Sequence, residues 1–316
     1  MGPSGSELGA RLRDRDLSAA PAVLNLVETQ TPQAREEVAE LLRAVAPGAL
    51  GGEAPGHVVG VTGPPGAGKS SLLSELVAEW RRQGRTVAVL AVDPSSRRSG
   101  GSLLGDRARI AFDPEDRGCF IRSTAAGRRL GGLAPATRAA AHALAAAFDV
   151  VVIETVGVGQ SETEVADVAD TVAVVVQPGS GDALQFLKSG IMEVPDVLVV
   201  TKADLGQIAQ RARRDLHAAL RSAGARDTPV VAVSSVSPVS GFDDLVAALD
   251  RHRETLDLPA HRAGRRRASA LADFVAEHGE AGLRELGGPR AAEKVLAGQD
   301  DGADVASLVS ALEAAR

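Results

Sequence analysis

Gly63-Pro64-Pro65-Gly66-Ala67-Gly68-Lys69-Ser70 decides the fold, because it matches GxxxxGK[ST] in a strand-to-helix context. An apolar run, Val58, Val59, Gly60 and Val61, precedes it, and Leu72, Leu73, Leu76 and Val77 follow at helical spacing. Glycines allow the backbone to curl until successive N–H groups face phosphate oxygens. Gly63, Gly66, Ala67, Gly68, Lys69, Ser70 and Ser71 are expected to form that cradle. Lys69 brings a positive charge to the β- and γ-phosphates, the helix N-terminus adds its dipole, and Ser70 can ligate Mg2+. A chance Gly/Pro-rich turn would need neither flank.

Outward from the loop, apolar runs alternate with helical patterns. Strands are expected at 57–62, 86–92, 150–154, 171–176, 197–201 and 230–233, with helices at 69–82, 134–147, 183–192, 207–223 and 242–256. Strands apolar over their whole length suit a sheet covered on both faces. The alternation predicts an α/β, doubly wound, mainly parallel sheet with ligands at the carboxyl ends of its strands. Residues 57–258 form this domain. Residues 1–56 read as an N-terminal helical extension and a Gly/Pro-rich linker, and residues 259–316 as a C-terminal helical arm that packs on the domain or joins two subunits.

Two carboxylates stand where they can reach the same metal ion. Asp93 ends the second run, followed by Pro94-Ser95-Ser96. Glu154 ends another buried run, three residues before Gly157. An acid at a strand tip can hold Mg2+ directly or through a water. Gly157 would let a backbone N–H approach the γ-phosphate. Each acid alone would equally serve as a cap or surface charge; downstream of a phosphate loop the metal reading is preferred.

Thr201-Lys202-Ala203-Asp204 follows the run Val197-Leu198-Val199-Val200 and has the form T-K-x-D. Asp204 can accept from guanine N1–H and the exocyclic amine, whereas adenine would leave the carboxylate unpaired. Lys202 would lie along the base. Thr201 stands where Asn is commoner and has no amide to offer. Ser234-Ser235-Val236 ends the next strand, and the N–H of Ser235 or Val236 can meet guanine O6. The base reading is therefore GTP over ATP, with GTP/GDP and Mg2+ as expected cofactors.

Composition removes other classes. The chain of 316 residues has a formal net charge of −6, 44% hydrophobic residues, six Phe, one Trp and no Tyr. An aliphatic core follows, and stacking residues for nucleic acid are scarce, so no nucleic-acid partner is expected. Arg262, Arg265, Arg266 and Arg267 open a helical pattern and read as a solvated face or partner contact. Cys119 is the one cysteine, which excludes a disulfide framework and a CxxC metal site. No run of eighteen apolar residues and no leader-like segment is present; the expectation is a cytoplasmic protein with no membrane partner.

A longer signature joins these motifs. It runs through 92–109, Phe120-Ile121-Arg122, Leu130-Gly131-Gly132, Glu154-Thr-Val-Gly-Val-Gly-Gln-Ser-Glu162, 181–193 and Thr201–Asp204. Over roughly residues 57–256 the chain resembles the MeaB/ArgK family of P-loop GTPases, which includes the methylmalonyl-CoA mutase-associated GTPases of the SIMIBI class. The resemblance implies a G-protein chaperone that protects an adenosylcobalamin-dependent acyl-CoA mutase, gates its cofactor loading, and forms a homodimer through the C-terminal arm. It implies Mg2+ contacts from Ser70, Asp93, Asp106 and Glu154. Asp93 and Asp106 would belong to switch I, Glu154 and Gln160 to switch II, and Asp182, Gln185 and Lys188 to a third, partner-sensing loop.

Departures from the family pattern are Arg97, Ala108, residues 123–129 and Ala183, the last beside Asp182. GTP hydrolysis is expected to rest on Lys69, Glu154 and the loop N–H groups, with slow intrinsic turnover that a partner raises. Gln160 lies three residues past Gly157, so the residue that positions water is unassigned; Lys188, Arg107 or Arg109 can supply further charge. A nickel-type metal-insertion GTPase would call for a CxxC or His-rich tract, and a P-loop kinase would not need T-K-x-D.

Overall fold

The computed structural model describes residues 2–93, 110–125, 133–155, 164–179 and 195–316, without the side chains of Asp93 and Ala125. Its contacts group the chain into two units: residues 58–133 with 152–256, and residues 1–57 with 134–151 and 257–316.

A seven-stranded sheet carries the nucleotide motifs. Its strands are β1 (His57–Thr62), β2 (Val87–Asp93), β3 (Cys119–Ala125), β4 (Val150–Glu154), β5 (Thr171–Val176), β6 (Val197–Val200) and β7 (Val230–Ala232), in the order β3-β2-β4-β1-β5-β6-β7. All run parallel; Val61 lies opposite Ala173, and Val200 opposite Ala232. Strands β1, β4, β5 and β6 are buried along their length, as continuous Val/Ile/Leu runs require when both faces are covered. From β1 the chain winds first toward β2 and β3, then returns to β4 and passes β1 to reach β5. The crevice outside the carboxyl end of β1 is therefore the switch point of the sheet.

Helix α5 (Lys69–Arg82) starts straight out of the glycine-rich turn and buries Leu72, Leu73, Leu76, Val77 and Trp80. Helix α7 (Gln207–Ser222) packs on β6 and β7, and α8 (Phe242–Thr255) on α5 and on β5 to β7. Arg81 grips Asp116 through Nε and Nη2 at 2.6 and 2.8 Å, and Arg85 grips Asp250 at 2.8 and 2.6 Å.

The other unit is helical. It contains α1 (Gly5–Arg13), α2 (Ala20–Glu28), α3 (Pro32–Ala44), the single turn α4 (Pro47–Leu50), α6 (Pro135–Leu144), α9 (Leu258–Glu285), α10 (Pro289–Ala297) and α11 (Val305–Ala314). Ser4 and Glu7 close a capping box at the head of α1, and Thr31 caps α3 ahead of Pro32. Leu8, Leu12, Leu24, Leu41, Phe148 and Phe274 fill its core. Helix α3 packs against α1, α2, α6 and α11, so the N- and C-terminal helices share one core.

The arginine cluster differs from the sequence expectation. Arg262 and Arg266 are buried, each 7% exposed, rather than solvated. Arg262 donates to the carbonyls of Ala54 and Gly56; Arg266 forks onto Glu53 at 2.8 and 2.9 Å and also reaches Asp301 O. Arg267 bonds Leu296 O and Asp301. The linker at 51–56 has no regular structure to satisfy the carbonyls of Ala54 and Gly56, and the Arg262 guanidinium does so instead. Strand β3 is the second difference, since 119–125 carries no expected strand; among the described residues it pairs with β2 alone, at the edge of the sheet.

Candidate nucleotide site

The phosphate loop sits between β1 and α5, at the switch point. Gly63 has φ 148, and a Cβ there would stand 2.2 Å from Val175 O, so the first residue of the turn admits only glycine. Gly68 caps α5 in the left-handed region at φ 92. The turn aims the first N–H groups of a 14-residue helix along the loop. Lys69 is nearly buried, at 9% exposure, and its ammonium donates to Gly63 O at 2.7 Å and Pro64 O at 3.2 Å. The charge is thus held across the mouth of its own loop. Ser70 is half-buried in the first turn, and Ser71 is exposed.

Glu154 is 5% exposed at the tip of β4, the neighbour of β1. The next residue ties the two tips together: Thr155 N–H donates to Val61 O at 3.0 Å, and Thr155 Oγ1 donates to Thr62 Oγ1 at 2.8 Å. A serine hydroxyl heading a helix and a buried carboxylate on the adjacent strand tip are hard oxygen donors, the chemistry that suits magnesium. Asp93 closes β2, with its side chain outside the described residues. Asp106, Gly157, Gln160 and Lys188 also lie outside them, as do Arg97, Arg107, Ala108, Arg109, Asp182, Ala183 and Gln185.

The base motif is bonded directly to the phosphate loop. Thr201 is 4% exposed, and its hydroxyl lies 2.7 Å from Ala67 O and 3.2 Å from Val176 O. One hydroxyl proton serves these carbonyls, with the shorter contact favoured. The missing amide of the commoner Asn is therefore met by a hydroxyl linking β5, β6 and the loop. Lys202 adopts a left-handed conformation at φ 54, and its ammonium donates to Gln177 Oε1 at 2.6 Å. Gln177 escapes motif reading; its only signal is a polar residue directly after the apolar run Val172–Val176.

Asp204 is exposed, and Ser234 Oγ stands 3.0 Å from its Oδ1. Ser234 itself is 3% exposed and accepts from Val236 N–H at 3.2 Å. A short antiparallel bridge between Ser234 and Ser240 closes this turn, which contains a cis Ser237–Pro238 bond, and Ala203 N–H donates to Val233 O at 3.0 Å. Thr201, Lys202, Asp204, Ser234, Ser235 and Val236 thus converge from two adjacent strand ends. The large exposed hydrophobic residues among those described, Leu205, Ile208, Val236 and Val239, belong to these same two segments. An apolar lip with one exposed carboxylate fits a flat heterocycle that offers N–H donors.

The model of the methylmalonyl-CoA mutase-associated GTPase MeaB family matches residues 20–281. A Pyrococcus abyssi protein that carries the name of a GTPase is 42% identical over 267 residues, covering 82% of this chain and 78% of that protein. GTPase ArgK of Escherichia coli is 41% identical over 197 residues, covering 61% and 58%. The mouse methylmalonic aciduria type A homolog is 45% identical over 157 residues, covering 49% and 38%. A crystal structure described as an LAO/AO transport system kinase superposes with a TM-score of 0.64 at 26% identity, covering 98% of this chain and 96% of that one.

Proposed function

The chain belongs to the MeaB family of methylmalonyl-CoA mutase-associated GTPases, and from that premise we propose that it binds GTP with Mg2+, hydrolyses it slowly, and times the loading and protection of an adenosylcobalamin-dependent acyl-CoA mutase. The observation that carries the nucleotide reading is the bond from Thr201 to Ala67 O. It joins a phosphate cradle built for triphosphate to a turn whose carboxylate selects guanine.

In this reading Asp204, steadied by Ser234, accepts from the guanine edge, and Ser235 or Val236 donates to its O6. Lys69 and the N–H groups of Gly66 to Ser71 meet the phosphates, and charge developing on them meets a fixed positive field. Ser70, Asp93, Asp106 and Glu154 would hold a magnesium ion, which would neutralise phosphate charge when bound. By the family resemblance, Gly157 would let a backbone N–H approach the γ-phosphate, Gln160 would belong to the same switch as Glu154, and Lys188 would add charge when a partner is engaged. The family resemblance supports a homodimer, which light scattering would register as twice the chain mass.

The test is phosphate release from GTP by purified protein, alone and with the mutase. Stimulation at least tenfold is expected; equal rates would refute the timer. The superposition on the structure described as an LAO/AO transport system kinase supports a second reading, transfer of the γ-phosphate to a small metabolite or a protein. Label recovered on an acceptor rather than as inorganic phosphate would favour it.

A further inference from the structure

Helix α7 carries four arginines and one acid, Asp215, in a chain whose net charge is −6. Its apolar side, Ala209, Leu216 and Leu220, is buried on β6 and β7. On the other side Arg211, Arg214, Ala218 and Arg221 follow at spacings of three, four and three. That places them on one line along the helix, about 15 Å from end to end. All four are exposed. Arg211 meets Asp215 only at 3.9 Å, with both side chains more than half in solvent. Among the described residues Arg213, Arg214 and Arg221 form no ion pair. On α5, by contrast, Arg81 and Arg82 are matched by Asp116 and Glu79. Like charges one turn apart weaken a helix. His217 registers the same field: burial first, then Arg213 and Arg221, hold its imidazole below the usual range.

We propose that the Arg211–Arg214–Arg221 line is a docking surface for an acidic segment of a partner protein, with carboxylates spaced along one face. Charge complementarity selects that occupant, because each guanidinium is a planar fork that fits a carboxylate. Ala218 leaves room for a backbone to approach between the forks. Ile208, 55% exposed and one turn before Arg211, adds an apolar contact at the head of the line. A lipid surface fits less well, since the apolar side of α7 is already spent on the sheet. Nucleic acid fits less well too, since no Tyr is present and the one Trp, Trp80, is buried. The line carries none of the residues assigned to the nucleotide, so its failure would leave the GTPase reading intact.

The experiment is fluorescence anisotropy of two labelled helical peptides of equal composition with the full chain. One has its Glu residues along a single face, and the other has them spread around the helix. The single-face peptide should bind about tenfold more tightly, and its affinity should fall as salt rises. The double variant Arg214→Ala/Arg221→Ala should lose about tenfold in that affinity while keeping the GDP affinity and thermal midpoint of the parent. Arg284→Ala/Arg290→Ala, which removes two exposed arginines elsewhere, should bind like the parent. Equal binding of the two peptides, or binding that survives Arg214→Ala/Arg221→Ala, would overturn the proposal. So would tighter binding to phosphatidylserine vesicles or to duplex DNA that this double variant abolishes, since either would give the line a different occupant.

Discussion

Replacing Asp204 by Asn keeps the size of the side chain and exchanges a carboxylate oxygen for a donor that faces guanine N–H groups. Affinity for GDP should fall at least a hundredfold in calorimetric titration, while the fold is unaffected because Asp204 is exposed. Thr201 tests a different link. Thr201→Val removes the proton shared by Ala67 O and Val176 O inside a buried site. The unmet carbonyl should cost about 1–3 kcal/mol, read as a loss of about five- to a hundredfold in affinity for GDP, and Thr201→Ser should recover most of it. If Thr201→Val bound GDP like the parent, the loop would be held by something other than this hydroxyl. The sequence pattern alone marks Asp204 and Lys69 because their chemistry is carried by residue type and spacing. It cannot mark what Thr201 does, because a hydroxyl reaching across to Ala67, 134 positions away, leaves no local trace.

Among the elements, the buried strands and the edge strand β7 were legible, and the edge strand β3 was not. Strands β1, β4, β5 and β6 are enclosed on both faces, so between their end residues they are apolar without interruption. Among the described residues strand β3 has a neighbour on one side, and Arg122, Ser123 and Thr124 interrupt its pattern. Arginines misled for a related reason, because charge suggests solvent until a partner is seen. In the helical unit Arg138 of α6 donates to Asp273 of α9 at 2.7 Å, with Arg138 only 2% exposed. Burial pushes the Asp273 carboxyl above the usual range, against the opposing pull of Arg138. Arg138→Ala should destabilise the chain by about 3–5 kcal/mol in chemical denaturation near neutral pH. A raised folded-state value means the folded chain binds the extra proton, so stability is gained as pH falls through it. The deficit of Arg138→Ala should therefore shrink in mild acid, where a protonated Asp273 needs no cation. Asp116 has the opposite sign. Its bond from Arg81 holds the carboxyl below the usual range, so its contribution is present at neutral pH and fades as pH falls through that depressed value.

At the scale of the whole molecule, the nucleotide residues that are described all belong to the sheet unit. The first and last segments of the chain share a helical core with residues 134–151. No helix among the described residues is long and apolar enough to cross a membrane. A doubly wound, mainly parallel sheet can be inferred from alternating patterns and one phosphate loop. The shared helical core cannot, because contacts such as Arg35 with Glu277 join segments 242 positions apart. The central claim, that this site binds and hydrolyses guanine nucleotide with magnesium, is tested most directly by one measurement: release of inorganic phosphate from GTP and from ATP, with Mg2+ and with EDTA, by the parent chain and by Lys69→Ala. Slow release from GTP alone, abolished by EDTA and by Lys69→Ala, is the predicted result; equal release from ATP, or release from GTP that survives Lys69→Ala, would contradict it.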